Sequence, residues 1–195
     1  MDRVTEMIGQ KLLLAFHGKQ QPSQEIIESI QKYKPAGFTL FRSMNIGSLE
    51  QVRQLTDTLQ HLAKTAELPP FLICTDQEGG QLMALGDCTP LPGNMALGAT
   101  RSTELAYKAG VVLGKELAAL GINVNYAPSA DVNINPYNPV IGTRSFSDDP
   151  ISGGRTGVSC HIRHSITGGC RDSKAFSRTW RYPYRLSYRY AGHPA

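Results

Sequence analysis

Phe71-Leu72-Ile73-Cys74-Thr75 runs directly into Asp76-Gln77-Glu78-Gly79-Gly80, and this stretch decides the fold. The first five residues show no polar alternation and are too few for an ordinary helix. They read as a strand buried on both faces, as in parallel sheets covered by helices. Upstream, Pro69-Pro70 ends a helix that begins at Ser48. Ser48-x-x-Gln51 has the capping-box pattern, and Val52, Leu55, Leu59, Leu62 and Ala66 follow at helical spacing. Before it lie a strand, Gly37-Phe38-Thr39-Leu40-Phe41, a helix near Gln24 to Lys32 carrying Ile26, Ile27 and Ile30, and a short apolar run from Leu12 to Phe16. Downstream, Leu105, Ala109, Val112, Leu113, Leu117 and Leu120 stripe a helix from about Ser102 to Leu120, closed by Gly121. Ile122-Asn123-Val124-Asn125-Tyr126-Ala127 is the next strand. Strands alternating with amphipathic helices predict an α/β fold.

Composition bounds what the chain can be. Its 195 residues are 41% hydrophobic and 18% charged, enough for a globular domain with a core. No run approaches the ~20 apolar residues of a membrane span. Leu12 to Phe16 is too short for a secretory apolar region of roughly 7–15 residues, so a cytoplasmic chain is expected. Cys74, Cys88, Cys160 and Cys170 lack metal-type spacing and are too few for a disulfide framework. The charge is uneven. Residues 160–195 hold seven Lys and Arg against one acid, Asp172, with Trp180 and four of the eight Tyr, whereas the first 159 residues hold 13 bases against 15 acids.

The polar residues fall at strand ends, where ligands bind in α/β folds. Asp76 and Glu78 follow one strand; Asp131 and an Asn/Pro-rich loop leading to Gly142-Thr143-Arg144-Ser145-Phe146 follow another. Carboxylates that accept from hydroxyls, beside a guanidinium that donates in a fixed fork, suit a polyhydroxylated ligand. The residues alone leave a second reading open. In it Asp76 caps a turn, Gly79-Gly80 permit tight backbone, and Arg144 ties down its loop by a salt bridge. His17 and His61 are isolated and are assigned to surface or packing roles.

Four motifs now narrow the choice. Asp76-Gln77-Glu78-Gly79-Gly80, Leu91-Pro92-Gly93-Asn94-Met95-Ala96-Leu97-Gly98-Ala99, Leu120 to Pro128, and Asn138-Pro139-Val140-Ile141-Gly142-Thr143-Arg144-Ser145-Phe146 occur in order within residues 7–158. Together they resemble the amino-terminal half of glycoside hydrolase family three, in its bacterial β-N-acetylglucosaminidase (β-N-acetylhexosaminidase) branch. The resemblance implies a (β/α)8 TIM-type barrel, of which residues 1–158 would form roughly the first half. It also implies retaining hydrolysis of β-linked N-acetylglucosamine saccharides without a metal or organic cofactor. By the same resemblance, Asp76 and Arg144 hold sugar hydroxyls in the first subsite. Ala84 departs from the family, which often has arginine there, so one sugar contact is missing or supplied otherwise. Ser147-Asp148-Asp149 superficially resembles the surroundings of the family nucleophile but lies on the wrong loop, and is assigned to a helix start. Asp131 is assigned a structural role through hydrogen bonds to the Asn-rich loop after it.

The segment 159–195 does not continue the family pattern and is expected to be an irregular, poorly packed tail. Reverse-translated and read one base later, Ser173 through Tyr182 can encode Ala-Lys-His-Phe-Pro-Gly-His-Gly-Asp-Thr, the sequence that the resemblance calls for. Residues 185–187 can encode Asp-Ser-His, the family's acid/base motif. The freedom is small: Trp180 has one codon, and its shifted reading must give glycine. The expectation is a one-base frameshift near residues 158–161, which makes the Arg and Tyr enrichment a product of reading frame. On this view the printed frame holds half a sugar site, Asp76 and Arg144, with neither the acid/base nor the nucleophile, and is inactive. The alternatives are a catalytically dead sugar-binding fragment, the β-glucosidase branch of the family, and RNA binding through the basic aromatic tail. No nucleic-acid or membrane partner is expected. A half-barrel with two open sheet edges is expected to be poorly soluble.

Overall fold

The computed structural model describes residues 3–167. The elements in order are α1 (Arg3–Gly9), β1 (Leu13–Leu14), α2 (Gln24–Tyr33), β2 (Gly37–Thr39), α3 (Leu49–Thr65), β3 (Leu72–Thr75), β4 (Gln77–Gly79), β5 (Leu82–Met83), α4 (Asn94–Ala99), α5 (Thr103–Ala119), β6 (Val124–Asn125) and α6 (Pro150–Thr167). Four strands form one parallel sheet in the order β1-β2-β3-β6, and β4 pairs antiparallel with β5 as a separate hairpin. Register is set by Leu13 opposite Gly37, Phe38 opposite Ile73, and Cys74 opposite Val124. The α/β expectation therefore holds, with a helix in each crossover.

The pleat divides the sheet into two faces. Phe38 and Ile73 point into a core with Phe16, Leu40, Phe71, Ile30 of α2, Val52, Leu55 and Leu59 of α3, and Leu117 of α5. Phe38 is fully buried and meets Phe16 and Phe71 edge to face, with ring centroids at 5.5 and 5.2 Å. The opposite face carries Leu13, Leu72 and Val124, all partly or largely exposed.

The helix ends follow local chemistry. Ser48 Oγ accepts from the Gln51 amide at 3.2 Å. The return bond of a capping box lands one residue early: Gln51 Oε1 accepts from Gly47 N at 2.7 Å. Pro69-Pro70 does not end α3. The chain turns at Glu67, in the left-handed region at φ 56°, where Leu68 N bonds Ala63 O at 2.9 Å and Glu67 N bonds Lys64 O at 3.1 Å. Helix α5 is capped by Ser102 and closed by Gly121 at φ 74°, as expected. Its buried stripe is rotated from the expected one: Leu105 is 45% exposed, and Ala106, Ala109, Gly110 and Gly114 face inward with Leu113 and Leu117. The small residues admit α6. A Cβ on Gly110 would stand 2.2 Å from the Cys160 carbonyl oxygen.

The strands are shorter than the apolar runs because side-chain amides take over the ladder. Phe71 exchanges two bonds with the Gln60 carboxamide, each 2.9 Å. Asn123 accepts from Ile73 N at 2.8 Å and donates to Phe71 O at 2.9 Å. Helix α6 runs on through Thr167, so the first part of the segment expected to be irregular is helical. Once a helix is nucleated, each added residue gains a bond at little cost. The expected out-of-frame residues beyond Thr167 lie outside the described residues. No helix among the described residues is long and apolar enough to cross a membrane.

Truncating Phe38 removes the ring that joins Phe16 to Phe71. Phe38→Ala is expected to cost about 3–5 kcal/mol, read as a lower urea midpoint with an unchanged slope. A cost below about 1 kcal/mol would contradict this core.

Candidate functional site

Three backbone segments converge where the parallel strands end. The first continues β3 through Asp76 into the β4–β5 hairpin. Asn125, on β6, fixes it: its carboxamide accepts from Gln77 N and donates to Gln77 O, both at 2.8 Å. The Gln77 side chain is buried and repeats the device, accepting from Leu85 N at 2.9 Å and donating to Leu85 O at 3.2 Å. Gly80, at φ 59°, is pressed against Gly93, where a Cβ would stand 2.6 Å from the Gly93 Cα. Only glycine meets both demands.

The second segment leaves β6 through a cis Ala127–Pro128 peptide. Tyr126 at its start bonds Thr39 of β2 at 3.0 Å, spanning β3. The third is a 3-10 turn, Gly142–Arg144. The Arg144 carbonyl accepts from Asn94 Nδ2 at 2.8 Å, and Ser145 Oγ bonds the Asp131 carbonyl at 2.5 Å. Phe146 is buried in a small core with Leu97, Ala106, Ala109 and Cys160, which anchors the turn from below.

The charges meet in this convergence. Arg144 grips Glu78: Nη2 lies 2.7 Å from Oε1, and Nε lies 3.0 and 3.3 Å from Oε2 and Oε1. The Glu78 side chain is 3% exposed and the Arg144 side chain 26%. Arg144 Nη1 donates to Val140 O at 3.3 Å. The Asp76 carboxylate makes no hydrogen bond or ion pair with another described residue. Burial and then the Glu78 charge raise its pKa, and Arg144 opposes them. The Glu78 hydrogen bonds raise that of Arg144 further, with the charges of Glu78, Asp131 and Asp76 adding to the effect. Among the described residues the site thus offers one uncommitted carboxylate acceptor beside a guanidinium with two N–H groups left unbonded, which is chemistry for hydroxyl groups.

The fold brings Asp76 and Arg144 into electrostatic reach of one another. Asp131 meets the loop after it through its backbone carbonyl, which accepts from Ser145 Oγ, and not through its side chain. Its carboxylate accepts from Ser129 Oγ at 2.8 Å, and the loop is ordered by its own asparagines, with Asn135 capping Tyr137 N and Asn138 capping Val140 N. Asp149 caps α6, accepting from Ser152 N at 2.7 Å. His17 and His61 are exposed, and Ala84 is buried in the main core. Glu78, read in the sequence only as one of the strand-end acids, is the residue whose pairing with Arg144 sequence reasoning left out. It stands two residues after Asp76, so extended backbone sets both on one side.

Comparison with known proteins gives a consistent result. Residues 3–161 match the glycosyl hydrolase family 3 N terminal domain. The beta-hexosaminidase A of Pseudoalteromonas piscicida is 39% identical over 167 residues, covering 75% of this chain and 28% of that protein. A glycoside hydrolase family 3 beta-N-acetylglucosaminidase from Paenibacillus sp. str. FPU-7 superposes with a TM-score of 0.80 at 38% identity, over 86% of this chain and 32% of that one. NagZ from Neisseria gonorrhoeae, in complex with N-trifluoroacetyl-D-glucosamine, superposes at 0.70 with 26% identity, over 80% of this chain and 47% of that one. The chain therefore spans less than half the length of each.

A carboxyl whose folded pKa is raised favours the fold when protonated and weakens it once pH rises through that value. Asp76→Asn, which mimics the protonated form, is expected to raise Tm at neutral pH. The gain should vanish below pH ~4, where both states are protonated. A lower Tm at neutral pH would contradict the raised pKa.

Proposed function

The chain belongs to glycosyl hydrolase family 3, and we propose that it carries part of a β-N-acetylhexosaminidase whose first sugar subsite is built on Asp76 and Arg144. The observation that carries this is the open Asp76 carboxylate beside the tethered Arg144, at strand ends of a chain 38% identical to a beta-N-acetylglucosaminidase of known structure. Asp76 accepts from sugar hydroxyls and the free N–H groups of Arg144 donate to them. The four parallel strands are the opening strands of a (β/α)8 barrel. A complete barrel takes roughly 250 residues, so residues 1–158 supply its first half and residues 159–195 are the out-of-frame tail.

Retaining hydrolysis needs a nucleophile that forms a covalent glycosyl intermediate. It also needs an acid/base that protonates the leaving oxygen and then activates water. We place the acid/base in the Asp-Ser-His that residues 185–187 encode when read one base later. A neighbouring carboxylate there orients the imidazole and raises its pKa. The printed frame then binds saccharide without turning it over.

Hydrolysis of p-nitrophenyl N-acetyl-β-glucosaminide tests this with two proteins, the 195-residue chain and the product of a gene with the frame restored. The restored protein is expected to turn the substrate over with retention, and to disfavour the matching β-glucoside by about 100-fold. The printed chain is expected to stay at background. Turnover by the printed chain would place the catalytic pair elsewhere, and an inert restored protein would overturn the assignment.

A further inference from the structure

We propose that Glu78 is a positioning residue that holds Arg144 away from Asp76 and so keeps the Asp76 carboxylate open for ligand. The proposal rests on the sugar-subsite reading above and adds a residue to it.

The site holds two carboxylates and one guanidinium. Asp76 and Glu78 stand two residues apart on extended backbone, and both feel Arg144. The cation is not shared evenly, because Glu78 takes all three short contacts with the guanidinium. Burial explains the choice. An ionised carboxylate deep in the protein needs a bonded partner far more than one at the rim does. The Glu78 side chain is almost wholly buried, whereas Asp76 is partly exposed.

The geometry makes the choice durable. Arg144 is fixed at three further points, by Val140 O on Nη1, by Asn94 on its carbonyl, and by the Ile141 carbonyl on its amide. Asn125 fixes the backbone between the two carboxylates. Once the charge of Glu78 is removed, Arg144, the cation that already acts on Asp76, is left with that carboxylate as its acidic partner. Acceptor and donors would then be spent on each other. Glu78 thus governs ligand binding without touching ligand.

The test uses the 195-residue chain, N-acetylglucosamine as probe, and carbon-13 NMR titration of the Asp76 carboxyl. The groups bearing on that carboxyl are Glu78, Arg144, Cys74 and Tyr126, with Asp131 acting on Arg144. Glu78→Gln is expected to weaken sugar binding by about tenfold or more and to move the Asp76 titration to lower pH. Glu78→Asp, which keeps the charge, should recover part of both. Unchanged binding and titration in a folded Glu78→Gln protein would overturn the proposal. If the wild type binds no sugar yet the Asp76 titration still falls in Glu78→Gln, the subsite reading fails and the charge partition stands. Asp76→Asn supplies a readout independent of Glu78 variants. The Arg144 Nε–H resonance and its slow exchange should persist in it. Their loss would mean that Asp76 holds Arg144, and would sink the proposal.

Discussion

A buried carboxylate must be met by a cation, and Glu78 meets its cation across 66 residues of sequence. The ion pair joins the hairpin after β3 to the turn before α6, two segments that no strand pairing connects. Removing one partner of such a pair leaves an uncompensated charge and typically costs about 3–5 kcal/mol. The loop end of the fold therefore depends on this contact. Without it the Arg144 turn would lose its tie to the hairpin and keep its bonds to Asn94, Asp131 and its own loop, with the Phe146 anchor below.

Around that pair the protein builds stiffness from carboxamides. Gln60, Gln77, Asn123 and Asn125 each present one acceptor and one donor to the main chain, reproducing the pairing of a missing strand residue. Buried amide groups left unbonded would cost free energy. These side chains satisfy them while the strands stay only two to four residues long. Short strands followed at once by clamped loops bring polar side chains close to the sheet without burying bare backbone. Asp76 sits between two such clamps, the bond of its carbonyl to Ala84 N and the Asn125 grip on Gln77.

Features set by local chemistry were legible in the sequence. Ser48 and Ser102 mark helix starts because a hydroxyl at that position satisfies a free amide, and Gly121 marks a stop because it tolerates positive φ. Phe71 to Thr75 read as a strand because nothing polar interrupts it. Asp76 and Arg144 drew notice through their places after strands and through family motifs, and the fold brings them within electrostatic reach of one another. What failed depended either on helix packing between distant segments or on short-range bonds that periodicity and motif spacing do not encode. Glu67 ends α3 in a conformation costly for a side chain, tolerated because the turn it makes satisfies two carbonyls. Leu105 turns outward because Gly110 and Cys160 let α6 lie close against α5. Asp131 found Ser129 instead of the asparagines after it. The β4–β5 hairpin carries no alternation, since Gln77 is buried to bind Leu85 rather than to pack. Glu78 could have been suspected from its spacing to Asp76, but its choice of Arg144 is a matter of burial.

The central claim is that the segments after β3 and before α6 form one saccharide-binding surface. Nitrogen-15 amide chemical-shift mapping of the chain during titration with N-acetylglucosamine tests it most directly. Perturbations are expected to cluster at residues 76–80 and 142–146, with α1 and α2 silent. Perturbations confined to any other surface, or none at concentrations where the sugar is soluble, would contradict it.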